Sequence, residues 1–271
     1  RNRKTDNRIR KNNTMNYREV FEKLCEYAPI ELSDKLVDLD NGYDNSGIIV
    51  GNTGDVKKIL FCLDLTGESV KAAIEKDVNL IVTHHPAIYN PLKSISENSA
   101  LYNCVKNNVA VISMHLNLDC AETGVDYCLA EGLGGKITEI LTPLGENVGY
   151  GRLSETDATA EEIFERYKTV FGTDKGSLYG DKTEKIRLIA SFCGAGLGEA
   201  EVEEALKRNA DMVVSADIPH HVLLKAIENG LSVINCTHYA SENLGVKRFA
   251  DYARETLKNK EIYFFCDGRF A

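Results

Sequence analysis

One order of elements is written twice along this chain, and it limits the fold more than any single motif does. In the first half, residues 57–65 (KKILFCLDL), 79–85 (NLIVTHH) and 109–115 (VAVISMH) read as strands, with helices over 67–77, 98–108 and 121–134. In the second half, strands over 185–194, 211–217 and 231–239 alternate with helices over 198–210, 220–230 and 243–258, and a last strand covers 261–267. Strands joined through helices predict mostly parallel sheets covered by those helices, an α/β fold. Two copies of the order predict two similar α/β lobes, an N-terminal one over 15–145 and a C-terminal one over 146–271, joined near residues 140–152. A helix over 17–28 and an irregular Asp-, Asn- and Gly-rich stretch over 38–52 precede the first copy.

Of the 271 residues, 43% are hydrophobic and 27% charged, enough apolar chain for a sizeable core. No apolar run approaches the roughly 20 residues of a membrane span. The net charge of −9 argues against nonspecific binding of nucleic acid. Residues 1–14 differ, with six Lys or Arg against one Asp. They read as a disordered basic leader, or as residues ahead of a natural start at Met15, with a nucleic-acid arm as the rival reading. The eight cysteines contain no CxxC pair and several lie inside apolar runs, so they read as small buried thiols in a reducing cytoplasm.

The candidate chemistry sits at strand ends. His84, His85, His115 and His238 each end a predicted strand, and His115 and His238 are followed four residues on by Asp119 and Glu242. Both members of the second pair lie 123 residues after those of the first. A lone histidine at a strand end is usually structural, but these fall in matched contexts at the edge where α/β sheets collect functional groups. Four imidazoles and two carboxylates form a donor set for two divalent metals, with zinc, iron, manganese and cobalt all suited to it. Consecutive side chains at a strand end diverge, so His84 and His85 are expected to serve different ions. The doublet His220–His221 opens a helix after Pro219. The segment from Asp44 to Gly51 (DNSGIIVG) is either a plain turn or a loop that brings Asp44 and Asn45 to the site. The glycine-rich FCGAGLGEAE, 192–201, is either a turn or an anion cradle at a helix start, though it lacks the GxGxxG pattern and the lysine of a P-loop.

These segments resemble the Nif-three-like, dinuclear metal centre family, whose members are often named GTP cyclohydrolase I type 2 homologues. The resemblance runs over nearly the whole chain from Met15. It rests on DNSGIIVG, LIVTHHPAIYNPLKSI, SMHLNLDCAETGVDYCLAEGLG, CGAG and INCTHYASENLGVKRFADY. It implies the same ligands, His84, His85, His115, Asp119, His238 and Glu242, a Nif-three-like fold with the metals between two lobes, and a hexameric ring as the homo-oligomer. It also suggests a metal-dependent hydrolase acting on a small molecule, nucleotides among the candidates; in such an enzyme Asp217, or one of His220 and His221, is placed to act as proton shuttle. Where the family usually reads Thr-Gly-Glu this chain has Ser215-Ala216-Asp217, and for Gly-His it has Thr237-His238, which puts substrate contacts in doubt more than metal binding. The alternative is a metal-binding scaffold acting through protein partners. Structural zinc is a weaker reading, because such sites favour cysteine-rich shells.

Overall fold

The computed structural model describes residues 14–270. The basic leader therefore falls outside the described residues except for Thr14.

The N-terminal helix α1 (Tyr17–Cys25) starts where Asn16 accepts the Arg18 and Glu19 amides and Glu19 returns the bond to the Asn16 amide. After α2 (Glu31–Asp40) the chain builds β1 (Gly47–Val50), β2 (Lys58–Cys62), α3 (Gly67–Glu75), β3 (Leu80–Thr83), α4 (Ala100–Lys106) and β4 (Ala110–Ser113). Two helices follow, the single turn α5 (Leu116–Cys120) and α6 (Val125–Gly132). The second half runs β5 (Lys136–Gly145), β6 (Val148–Thr159), α7 (Ala160–Phe171), β7 (Ser177–Tyr179), β8 (Lys185–Ser191), α8 (Glu199–Lys207), β9 (Met212–Ala216), α9 (His220–Glu228), β10 (Ser232–Cys236), α10 (His238–Thr256) and β11 (Glu261–Phe264).

These strands form a five-stranded sheet, β1-β4-β3-β2-β11, and a six-stranded one, β5-β6-β8-β9-β10-β7. The repeat is visible in both. β2, β3 and β4 run parallel and adjacent, as do β8, β9 and β10. An antiparallel strand, β1 in one sheet and β7 in the other, flanks the last member of each set.

Residues of β2 alternate between two cores, as a pleated strand requires. Leu60 and Cys62 join Val70, Ala73 and Cys104 under α3 and α4, while Ile59 and Phe61 face the largest cluster. That cluster holds residues of both sheets, Val82 and Ile112 from one and Val214 and Ile234 from the other, together with Val125 of α6 and Phe249 of α10. A Cβ on Gly245 of α10 would come within 2.6 Å of Val125 Cα, so this glycine is what lets α10 lie close against α6. The second sheet's other face is covered by α8 and α9 through Val202, Ala205, Val222 and Ala226.

Three features differ from the sequence reading. The stretch around 140–152, expected as the join between lobes, is a β-hairpin at the edge of the second sheet; its Pro and Gly residues imitate a linker. The segment 160–171 is a helix that the repeat did not call for. The last strand, late in sequence, pairs in parallel with β2 of the first sheet, because α10 carries the chain back across. All eight cysteines are free; six are buried, but Cys266 is exposed. Among the described residues no helix is long and apolar enough to cross a membrane.

Candidate metal centre

The carboxyl ends of both parallel sets meet at one cluster. β3 delivers His84 and His85 directly after Thr83, and β4 leads to His115, the N-cap of α5, with Asp119 inside that turn. β10 leads to His238, the first residue of α10, with Glu242 one turn on. The spacing i to i+4 puts each histidine and its carboxylate on one helical face. The donor atoms fall into three overlapping groups that would each suit a metal ion: His84, His85 and His115; His85, His238 and Glu242; and His84, Asp119 and Glu242.

Each histidine is held from behind. His84 Nδ1 donates to the Met114 carbonyl at 2.9 Å, His85 Nδ1 to Asp64 at 2.7 Å, His115 Nδ1 to Asp44 at 2.8 Å and His238 Nδ1 to Asp217 at 2.7 Å. A carbonyl or carboxylate only accepts, so Nδ1 must carry the proton in all four rings. In the neutral rings the Nε2 lone pair then points inward, the arrangement found when histidines bind metal.

The inward atoms crowd one another. His85 Nε2 lies 2.9 Å from Glu242 Oε2, and His84 Nε2 lies 3.4 Å from Asp119 Oδ1. His84 Nε2 is buried and has no hydrogen-bond partner, a cost that a bound cation removes. The donors present therefore fit a divalent metal.

The electrostatics agree. Burial lowers His84 to about 3, so its ring is neutral. Burial would also lower His85 and His238, but bonds to Asp64 and Glu242 raise His85 to about 10, and bonds to Glu242 and Asp217 raise His238 to about 9. Burial would raise Glu242, yet its bonds to His238 and His85 hold it well below the usual carboxylate range. The centre thus attracts positive charge, and in the metal-free chain protons supply it. Burial pushes Asp119 up to about 7. Asp44 resists its own burial through bonds with His115, Ser33 and Ser46, and stays well below the ordinary value.

The structure brings His84, His85, His115, Asp119, His238 and Glu242 together. Asp217 touches the cluster through His238 Nδ1, and its side chain is 63% exposed. A positive φ of 48° at this aspartate turns the chain just past β9. His220 and His221 are exposed at the start of α9; His221 Nε2 lies 3.9 Å from Glu199, and neither joins any of the metal-suited groups among the described residues. In the first turn of α9, which Pro219 precedes, Val222 takes the buried position and both histidines take exposed ones.

Of the two loop residues, Asp44 does reach the site, whereas Asn45 anchors the histidine loop by donating to the Ile88 carbonyl at 2.6 Å. Asp64 was missed. Its signal was its place, the carboxyl end of the strand beside β3.

The glycine turn has a local purpose. A Cβ at Gly194, where φ is 55°, would collide with Glu242 Oε1 and crowd His238 Nε2. The start of α8 is already occupied by a carboxylate, since the Gly198 amide donates to Glu201 at 3.0 Å. Behind the turn the Cys193 thiol donates to Asp119 at 3.2 Å, and the Cys193 amide donates to Asp126, which pairs with Arg152 at 3.1 Å in full burial.

Comparison with known proteins follows the same outline. The profile of the Duf34/NIF3 (NGG1p interacting factor 3) family matches residues 15–267. The GTP cyclohydrolase 1 type 2 homolog of Clostridium acetobutylicum is 30% identical over 239 residues, 84% of this chain and 86% of that protein. The protein of the same name from Clostridium perfringens is 32% identical over 252 residues, 90% of this chain and 93% of its own. The crystal structure of a Bacillus cereus protein related to NIF3 superposes with a TM-score of 0.80 at 20% identity, covering 93% of this chain and 97% of that one, a likeness of fold.

Proposed function

From the premise that the chain belongs to the Duf34/NIF3 family, we propose that it is a dinuclear metal-dependent hydrolase, with His84, His85, His115, Asp119, His238 and Glu242 as ligands. The observation that carries this reading is the buried, unpartnered His84 Nε2 amid rings whose Nδ1 atoms are all tied to acceptors. Two of the three donor groups, His84 with Asp119 and Glu242 and His85 with His238 and Glu242, support separate ions for His84 and His85, whereas the third, His84 with His85 and His115, would put both rings on one ion.

Bound divalent metals supply Lewis acidity and a water acidified to near-neutral pKa. The chain's own residues do the rest. Asp44, Asp64 and Asp217 hold three rings in one tautomer, and the Met114 carbonyl holds the fourth. Asp217, which is exposed at the site's edge, exchanges protons between His238 and solvent. The relatives' names point to GTP as one substrate to try. The chain works as a homo-oligomer, a hexameric ring, in the cytoplasm.

Turnover assays of the metal-loaded chain against GTP and a phosphoester panel test this reading. Hydrolysis that disappears with Asp119→Ala supports it. A total lack of turnover with zinc, iron, manganese and cobalt favours the second reading, a metal-bearing scaffold for protein partners. That alternative draws on one surface feature, the exposed Tyr43, Tyr89, Leu92 and Ile95, of which Tyr43 and Tyr89 meet edge to face.

A further inference from the structure

Two cavities reach the cluster and share Asp217 and His238. One, of about 460 Å³, has His85 and His238 on its floor and Leu63, Leu65, Pro86 and Phe270 along its sides. The other, of about 580 Å³, is bounded by main chain of the glycine turn and by Tyr150 and His115.

The smaller cavity has a built aromatic wall. Phe270 is 48% exposed and stacks on Tyr239, with centroids 5.7 Å apart and planes inclined by 27°. The wall is braced: the Asp267 amide donates to the Tyr239 hydroxyl at 2.6 Å, and Arg269 grips both oxygens of Asp267 at 2.8 and 2.5 Å. A half-exposed aromatic ring in the lining of a cavity, tied down through its neighbours, offers stacking surface to a flat ring. Arg269 is committed to Asp267, and its guanidinium lies over the Phe270 ring, 5.6 Å from the centroid.

Charge narrows the ligand further. Asp40, Asp64, Asp119, Glu201, Asp217 and Glu242 line the two cavities, and no Lys or Arg does so among the described residues. Of these, Asp64 and Asp217 line the smaller cavity, each bonded to a ring N–H of His85 or His238. A polyphosphate placed in the smaller cavity finds no Lys or Arg among its lining residues and meets the Asp64 and Asp217 carboxylates, whereas a neutral or cationic ring is not repelled.

The geometry points to the smaller cavity as the seat of a planar, uncharged or cationic ring, stacked on Phe270 with its edge toward His85 and His238, and to a substrate that is not a nucleoside triphosphate. This inference rests on the metal-centre reading and names the ligand class for it.

The test uses the full chain loaded with zinc and titrated calorimetrically with guanosine, benzamidinium and GTP, with zinc content measured in parallel. Guanosine and benzamidinium should bind at least tenfold more tightly than GTP. Phe270→Ala should weaken both by about tenfold, Phe270→Tyr should restore them, and zinc content should stay at the wild-type level in each variant. GTP binding as tightly as guanosine, no binding of any of the three, or affinities indifferent to Phe270→Ala would each overturn the inference. Failure of the metal-centre reading shows separately, as a chain that retains no zinc.

Discussion

His85 Nε2 and His238 Nε2 face each other across 3.2 Å, and Glu242 Oε2 lies within 3.1 Å of both. Two ring nitrogens from different sheets are held this close because something positive belongs among them. In the metal-free chain that charge is protonic.

The raised values, about 10 for His85 and about 9 for His238, make metal uptake a proton exchange. Below those values a metal must displace protons, so affinity rises with pH through the neutral range and levels off above about 10. Stability of the metal-free chain has the opposite slope. The contribution of the two raised rings is fully present below the unfolded value of 6.5 and is lost as pH rises through about 9 to 10. Calorimetry of zinc binding at pH 7 in buffers of different ionisation enthalpy should give roughly two to three protons released per chain, from His85, His238 and in part Asp119. Zero release contradicts the arrangement.

Asp64 and Asp217 hold rings rather than metal, so their loss should loosen the site without emptying it. Asp64→Asn and Asp217→Asn should each lower zinc affinity by about 10- to 100-fold, as outer partners of metal-binding histidines do. Competition with a chromophoric chelator measures this. Affinities equal to wild type would mean that these bonds do not orient the rings.

Gly194 is set by its neighbours. Gly194→Ala places a methyl against Glu242 on a backbone with φ of 55°, at a conformational cost of about 1 kcal/mol before any clash. The variant should fold, with a melting temperature a few degrees lower, and should bind clearly less metal than wild type. Full metal content would show that Glu242 is free to move aside.

The buried pair Asp126–Arg152 supports the turn through the Cys193 amide. Asp126→Ala strands the guanidinium and should cost about 3–5 kcal/mol in urea unfolding. Asp126→Leu combined with Arg152→Met should recover much of that loss. If the single and double variants are equally unstable, the pair is not what the turn depends on.

Much of this was legible in the sequence, for a physical reason. The matched segments at 109–119 and 231–242 carry ligands on the same strand-end geometry in both copies, so spacing alone singled out His115, Asp119, His238 and Glu242. The doublet His84–His85 ended an apolar run whose burial pattern is continuous. The Asp64 contact was not legible, because it depends on which strand lies beside β3. His220 and His221 looked like site residues by composition, but their orientation depends on how α9 starts after Pro219. Strands β5 to β7 were hidden because the repeat does not contain β5 and β6, and β7 is only three residues long.

The central claim is that these six side chains hold two metals. Elemental analysis of the purified chain and of His84→Ala, after saturation with zinc and removal of the excess, tests it most directly. The account predicts about two ions per wild-type chain and a marked fall in the variant. A wild-type chain that keeps no metal, or a variant with unchanged content, would contradict it.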